Sequence, residues 1–291
     1  MQRCAFDFVF EFVFEFDFVF FSVATGVIMK EKNDHNTIIN EPYSDRGRVL
    51  QMTPEYTSFE RHYIDIREKE GRVLTDEAVL NLPVSPLPAY RQEWAYRRFA
   101  SDIFLRYLKK QAHGKILDLG CGNGWFSKLL TLNNSNTVLG LDINKTELEQ
   151  AVRLFGSNHC SFAYGDIFKV NIPAATYQYI VINSAIQYFP ELPHLLHRLL
   201  FLLAPEGEIH ILDSPFYDTS ALSAAAERTI SYYEKSGTPE MAAFYHHHTW
   251  ENLKEFNWKI MYNPHDWWNR FKRKSGYPGA IFPWIRIKQS T

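Results

Sequence analysis

The chain has 291 residues, 46% hydrophobic and 22% charged, with 31 Lys and Arg against 33 Asp and Glu. A chain of this length buries enough apolar surface to need neither disulfides nor a structural metal, and a net charge of −2 creates no global field to recruit nucleic acid or an anionic membrane. The three cysteines (Cys4, Cys121, Cys160) lack CxxC spacing and the chain lacks any apolar run of about 18 residues, which argues against a disulfide scaffold, a zinc ribbon and a transmembrane helix and fits a cytoplasmic location.

Residues 5–21 hold nine of the 23 phenylalanines, alternating with Asp, Glu or Val. Period 2 is formally a strand pattern, but such near-repetition reads as a low-complexity tract, and its acids, Asp7, Glu11, Glu15 and Asp17, argue against the apolar core of a signal peptide. Residues 1–28 are expected to lie outside the fold, with Met29 a candidate initiator; an added edge strand is the alternative. Residues 29–89 form a polar extension in which Thr75–Leu82 predicts a short helix. The proline-punctuated run 83–88 marks a boundary. After it, Trp94, Phe99, Ile103, Leu105 and Leu108 recur near helical spacing and predict an amphipathic helix over 90–110.

The pattern changes at Lys115. Ile116-Leu117-Asp118-Leu119 is an apolar run set directly before Gly120, Cys121, Gly122, Asn123 and Gly124, and a helical pattern follows from Trp125. A buried strand, a glycine turn and a helix start make a nucleotide-type site, because glycine permits close backbone approach and free amides face the ligand. The glycines fall as GxGxG. A dinucleotide fingerprint, GxGxxG, would need its third glycine where bulky Trp125 stands.

Further on, VLGLD (138–142) predicts a second strand ending in Asp142, a carboxylate suited to a pair of ribose hydroxyls. Asn144 and Glu147 mark a helix start, with Leu148, Ala151, Val152 and Phe155 as its buried stripe. A third strand (161–168) ends at Gly165-Asp166, and a fourth (177–190) stops at Asn183-Ser184. An apolar helix (192–203), a turn at Pro205-Glu206-Gly207 and the strand 208–213 follow, an order that gives a parallel sheet with right-handed crossovers.

This arrangement resembles the class I S-adenosylmethionine-dependent methyltransferases over about residues 90–291. The resemblance implies a Rossmann-like α/β fold: a mostly parallel seven-stranded sheet, helices on both faces, and an inserted helical cap at about 214–248. It implies S-adenosyl-L-methionine as cofactor. Gly120, Gly122 and Gly124 would line its methionine and ribose portion and Asp118 its amino group, unless Asp118 only props the glycine turn. Asp142 would hold the ribose, Ile143 the adenine face, Asp166 and Ile167 the adenine edge, and Asn183 with Ser184 would lie beneath the sulfonium.

The insertion after Asp213 is longer than a usual connection and is where small-molecule enzymes of this type place a cap. Its triple histidine, His246-His247-His248, admits a metal site, a proton acceptor, or hydrogen-bonded cap residues. The proton acceptor is favoured over the metal, because successive residues of a strand face opposite ways and no acid has ligand spacing nearby. Tyr188, after the fourth strand, is the other candidate to touch the acceptor; His210 is read as a satisfied core histidine. Arg91 or Arg97 would hold the cofactor carboxylate, with a solvent-facing arginine as the alternative. Strands at 258–262 and 280–288 would close the sheet, with the basic, aromatic WWNRFKRK (267–274) as a solvated hairpin tip. The function expected is methyl transfer to a small-molecule acceptor, with no bound metal. The rivals are an RNA or protein methyltransferase using 267–274, and a cofactor-binding regulator without turnover.

Overall fold

The computed structural model describes residues 47–55, 57–85, 87–131 and 136–289. The Phe-rich tract and Met29 lie outside them. The elements are β1 (Leu50–Gln51), α1 (Thr57–Lys69), α2 (Asp76–Leu80), α3 (Arg91–Leu108), β2 (Lys115–Leu119), α4 (Trp125–Leu130), β3 (Thr137–Asp142), α5 (Lys145–Phe155), β4 (Cys160–Tyr164), β5 (Tyr177–Asn183), α6 (Leu192–Leu202), β6 (Leu203–Leu212), α7 (Leu222–Lys235), β7 (Asn257–Tyr262), α8 (Trp267–Lys274) and β8 (Trp284–Lys288).

One sheet of eight strands runs β1-β4-β3-β2-β5-β6-β8-β7. All neighbouring pairs through β6 are parallel, and β8 lies antiparallel between β6 and β7. The eighth strand, beyond the seven expected, comes from the polar extension: Leu50 and Gln51 pair with Ala163 and Tyr164. The parallel strands are buried on both faces, which is why their sequences read as apolar runs rather than alternations.

Strand order reverses between β2 and β5. The chain moves outward through β3 and β4, then returns to place β5 and β6 on the other side. Loops leave in opposite directions at that point and open a crevice at the carboxyl ends of the strands. The stripe of α5 is buried as its spacing predicts, and Asn144 caps the helix by accepting from the Glu147 N–H at 3.1 Å.

Three elements differ from expectation. The buried face of α3 holds Glu93, Arg97 and Ser101 beside Trp94, Ala100, Phe104 and Leu108, so the stripe is rotated away from Phe99, Ile103 and Leu105. The turn at Pro205–Gly207 lies within β6, with Glu206 at φ 60°. Residues 267–274 are a helix, not a hairpin tip: Asp266 caps it by accepting from Trp268 N–H at 2.9 Å. His210 is a satisfied core residue, since Trp284 Nε1–H donates to its Nδ1 at 3.1 Å and its Nε2 meets Glu208 at 3.1 Å. No helix among the described residues is long and apolar enough to cross a membrane.

Candidate active site

β2 ends in a turn whose three glycines all sit at positive φ: Gly120 at 74°, Gly122 at 50° and Gly124 at 76°. The turn is close-packed. A Cβ on Gly120 would come within 2.6 Å of Ala185, and one on Gly124 within 2.7 Å of the Phe162 ring. Gly122 differs: its added Cβ would meet only Glu147 Oε2, at 3.0 Å.

Asp142 anchors this turn from the end of β3. Its Oδ2 accepts the Gly122 N–H at 2.7 Å, and its Oδ1 accepts Ile143 N–H at 2.7 Å and Asn144 N–H at 2.9 Å. A carboxylate offers about four acceptor sites, so about one is left for a ligand, on Oδ2. Burial pushes the Asp142 carboxyl up, and the three amide donors work against that rise.

A cavity of about 970 Å³, open to solvent, occupies the crevice. Its floor comes from Gly120, Cys121, Gly122, Asp142, Asn183 and Ser184, and its walls include Tyr188 and Phe189. A smaller recess of about 270 Å³ adjoins it through Gly120, Asp142 and Phe189, and is lined by Ile143, Gly165, Asp166 and Ile167. Nine of the fourteen residues expected to act therefore line one of two adjoining spaces: Gly120, Gly122, Asp142, Asn183, Ser184 and Tyr188 the first, Gly120, Asp142, Ile143, Asp166 and Ile167 the second; Gly124 is packed behind the turn.

Asp118 lies elsewhere. It is buried beneath the turn, accepts from Ser127 Oγ at 2.5 Å, and lines neither space. Burial and, less strongly, the Asp142 charge raise its carboxyl to about 7, against the lowering bond from Ser127. The geometry is that of a prop for the glycine turn.

The triple histidine also lies off the cavity. The segment crosses behind the turn after β5: His246 N–H donates to Gln187 O at 2.7 Å, and Tyr217 N–H to His248 O at 2.9 Å. His248 Nε2 bonds Ile186 O at 2.8 Å, and His247 Nε2 meets Thr229 Oγ1 at 3.0 Å. Burial, foremost among several causes, holds both rings down at about 4. His247 and His248 thus make the contacts of hydrogen-bonded cap residues, one of the three readings their sequence admits, and line neither space.

The polar extension supplies a wall that its sequence did not announce. Tyr63, Arg67 and Arg72 line the large cavity, as do Tyr90, Trp94, Arg97 and Trp125. Tyr63 Oη accepts from Arg67 Nε at 2.9 Å and lies 3.3 Å from Glu147 Oε2, while Arg72 pairs with Glu93 at 2.9 Å. DIREKEGR (65–72) is dense in charge within the polar extension, and nothing in its spacing signals that two of its arginines face a cavity. Arg97 is buried rather than solvent-facing, and pairs with Asp213 at 3.2 Å; Arg91 is exposed. Cys121 lines the floor with its thiol pushed well up by burial. Among the described residues, no three His, Cys, Asp or Glu side chains are grouped to hold a metal.

A family model described as a methyltransferase domain matches residues 110–268, just over half of the chain. The chain belongs to the methyltransferase domain family. The matched span runs from just after α3 into α8 and includes the glycine turn, Asp142, Asp166 and the end of β5.

Curated relatives of this methyltransferase-family chain include trans-aconitate 2-methyltransferase of Yersinia pseudotuberculosis serotype O:1b, 31% identical over 132 residues (43% of this chain, 50% of that one). Malonyl-(acyl-carrier protein) O-methyltransferase of Erwinia billingiae is 29% identical over 123 residues, 42% of this chain and 47% of that one. The chain thus spans about half the length of the curated relatives it matches. Among solved structures, the YcgJ protein of Bacillus subtilis aligns with a TM-score of 0.51 and 13% identity over 67% of this chain and all of that one, a likeness of fold.

Proposed function

We propose that this chain is an S-adenosylmethionine-dependent methyltransferase acting on a small-molecule acceptor. The observation that carries this reading is the placement of the GxGxG turn and Asp142 on the floor of one cavity, beside a second recess lined by Ile143, Asp166 and Ile167. Family membership supports it, and so do relatives named for small acceptors such as trans-aconitate.

The residues present fit the cofactor. Gly122 leaves backbone open to approach, Asp142 keeps an acceptor site for a ribose hydroxyl, and the recess is mostly apolar, as a purine needs. Asp166 stands at that recess, accepting from Phe168 N–H at 3.0 Å and paired with Lys169 at 3.2 Å. Asn183, Ser184 and Arg97 would receive the methionine end. When bound, S-adenosylmethionine supplies a methyl group already activated by its positive sulfur.

The protein's remaining work is alignment and the exclusion of water. Trp94 and Trp125, edge to face at 5.3 Å, give the cavity an aromatic wall with Tyr90 and Phe189, among the charged groups that line the rest of it. Tyr188, which lines the same cavity, would orient the acceptor. A cytoplasmic location belongs to the same reading, and the buried free thiols Cys121 and Cys160 support it.

The test is calorimetric titration of the chain with S-adenosylmethionine and S-adenosylhomocysteine, followed by assay of S-adenosylhomocysteine release against a panel of small acids and alcohols. Micromolar binding of both ligands with NAD silent, and turnover with a panel member, is the expected result. Binding without turnover on any acceptor would favour a regulator, and a folded chain that binds neither ligand would overturn the reading.

A further inference from the structure

We propose that α8 is an interfacial anchor that seats the site end of the fold on an anionic lipid surface. Its polarity is inverted for a surface helix. Trp267, Trp268 and Phe271 are 73%, 47% and 56% exposed, and Tyr277 just beyond is 65% exposed. The two half-buried residues of the helix are polar: Asn269 donates to Asn263 O at 2.8 Å, and Arg273 to Pro264 O at 2.7 Å and Ala280 O at 3.3 Å. Asn269 and Arg273, four apart, share one face, so the three aromatic residues lie on the opposite one.

Charge names the occupant. Residues 267–277 contain Arg270, Lys272, Arg273 and Lys274 and no acid. Exposed Trp and Phe rimmed by Lys and Arg are the composition of a helix lying in a headgroup layer, where rings enter the acyl boundary and cations meet lipid phosphates.

Single-stranded RNA fits less well, because base stacking needs open ring faces. Here Trp268 stacks on Phe271 at 5.7 Å and 15°, and Lys272 stands over Trp268 at 5.3 Å. A second copy of the chain docked through this face would set one cluster of cations against its twin.

The position of α8 gives the anchor a use. β7 and β6 are both antiparallel to β8, so they run the same way, and α8 follows the carboxyl end of β7, at the same end of the sheet as the cavity. Tyr262, the last residue of β7, packs edge to face on Phe99 at 5.4 Å, in the helix that also carries Trp94 and Arg97. An anchored α8 would hold that end of the molecule toward the bilayer, within reach of amphiphilic acceptors. The anchor itself does not depend on the methyltransferase reading.

The full chain is mixed with vesicles of phosphatidylcholine and phosphatidylserine, with pure phosphatidylcholine vesicles, and with a uridine homopolymer. The expected result is salt-sensitive sedimentation with the mixed vesicles alone, and quenching of tryptophan fluorescence by brominated lipid. The variant Arg270→Gln/Lys272→Gln/Lys274→Gln should partition roughly 10²-fold less well, and Trp267→Ser/Trp268→Ser/Phe271→Ser should lose the quenching. All six side chains are exposed, and unchanged circular dichroism verifies folding; if the aromatic variant fails that check, the charge variant still decides. Equal sedimentation with and without phosphatidylserine, or binding indifferent to the charge variant, would overturn the proposal. Homopolymer binding with silent vesicles would do the same, as would a dimer dissolved by the aromatic variant without lipid binding.

Discussion

Arg97 and Asp213 form an ion pair of 3.2 Å in which both side chains are more than nine-tenths buried. Asp213 holds φ 45° where the chain leaves β6, and Ser184, which lies 3.3 Å from Arg97 Nη2 through its Oγ, holds φ 60° where the chain leaves β5. One guanidinium therefore contacts both left-handed corners at the site end of the sheet. Arg97→Met would remove the guanidinium that faces buried Asp213, at a loss of about 3–5 kcal/mol. Urea unfolding measures this; Asp213→Asn in the same chain should restore part of the loss, and a midpoint unmoved by Arg97→Met would refute the role.

Asp118→Asn should change how stability varies with pH. The folded-state value near 7 lies above the ordinary 3.8, so the folded protein binds the extra proton between them. Wild-type stability then falls as pH rises from about 4 to 7, by up to roughly 4 kcal/mol. An asparagine can still accept from Ser127 and lacks the charge, so the variant should match wild type near pH 4 and exceed it at pH 8. Parallel thermal-midpoint curves across that range would contradict the assignment.

His248 has the opposite sign. Its value of about 4 lies below the ordinary 6.5, so the unfolded chain takes the proton first and stability is lost as pH falls from 6.5 through 4. His248→Gln should flatten this acid limb while leaving the pH profile of any turnover above pH 6.5 unmoved. A turnover profile whose fall at low pH disappears in the variant would assign His248 a role as proton acceptor.

Gly124→Ala and Gly122→Ala should separate folding from binding. The first drives a methyl into Phe162 at 2.7 Å and Ala151 at 2.9 Å, which favours loss of the folded state by about 2 kcal/mol or more. The second meets only the tip of Glu147 and keeps a positive φ that alanine tolerates at about 1–2 kcal/mol. Gly122→Ala should fold and bind S-adenosylmethionine at least tenfold more weakly; undiminished affinity would show that the turn is not approached closely.

The sheet and its glycine turn were legible because their signals are local. Apolar runs of four residues, the spacing of Gly120, Gly122 and Gly124, and the stripe of α5 each lie within a dozen residues. What stayed hidden depends on partners distant in sequence. Glu93 and Arg97 look like solvated positions until Arg72 and Asp213 are brought to them. The histidines look reactive until Ile186 O and Thr229 Oγ1 claim two of them. In α8 the aromatic residues face outward, so a rule that places apolar side chains inside reads that helix the wrong way round.

The wall that closes the cavity is fastened differently from its floor. β2 and β5 contribute consecutive buried residues hydrogen-bonded on both edges, whereas among its described side chains α1 sets Tyr63 and Ile66 in the core with Ile64 half-buried beside them, and it is tied at the cavity through Arg67, with Arg72 following in the next loop. Few buried apolar contacts mean a low free energy of local opening. Ligand traffic can then pass by detachment of α1 alone, with the glycine turn and Asp142 keeping their hydrogen bonds throughout. In a structure fastened this way the side wall can give before the sheet does, so access to the cavity need not disturb the strands beneath it.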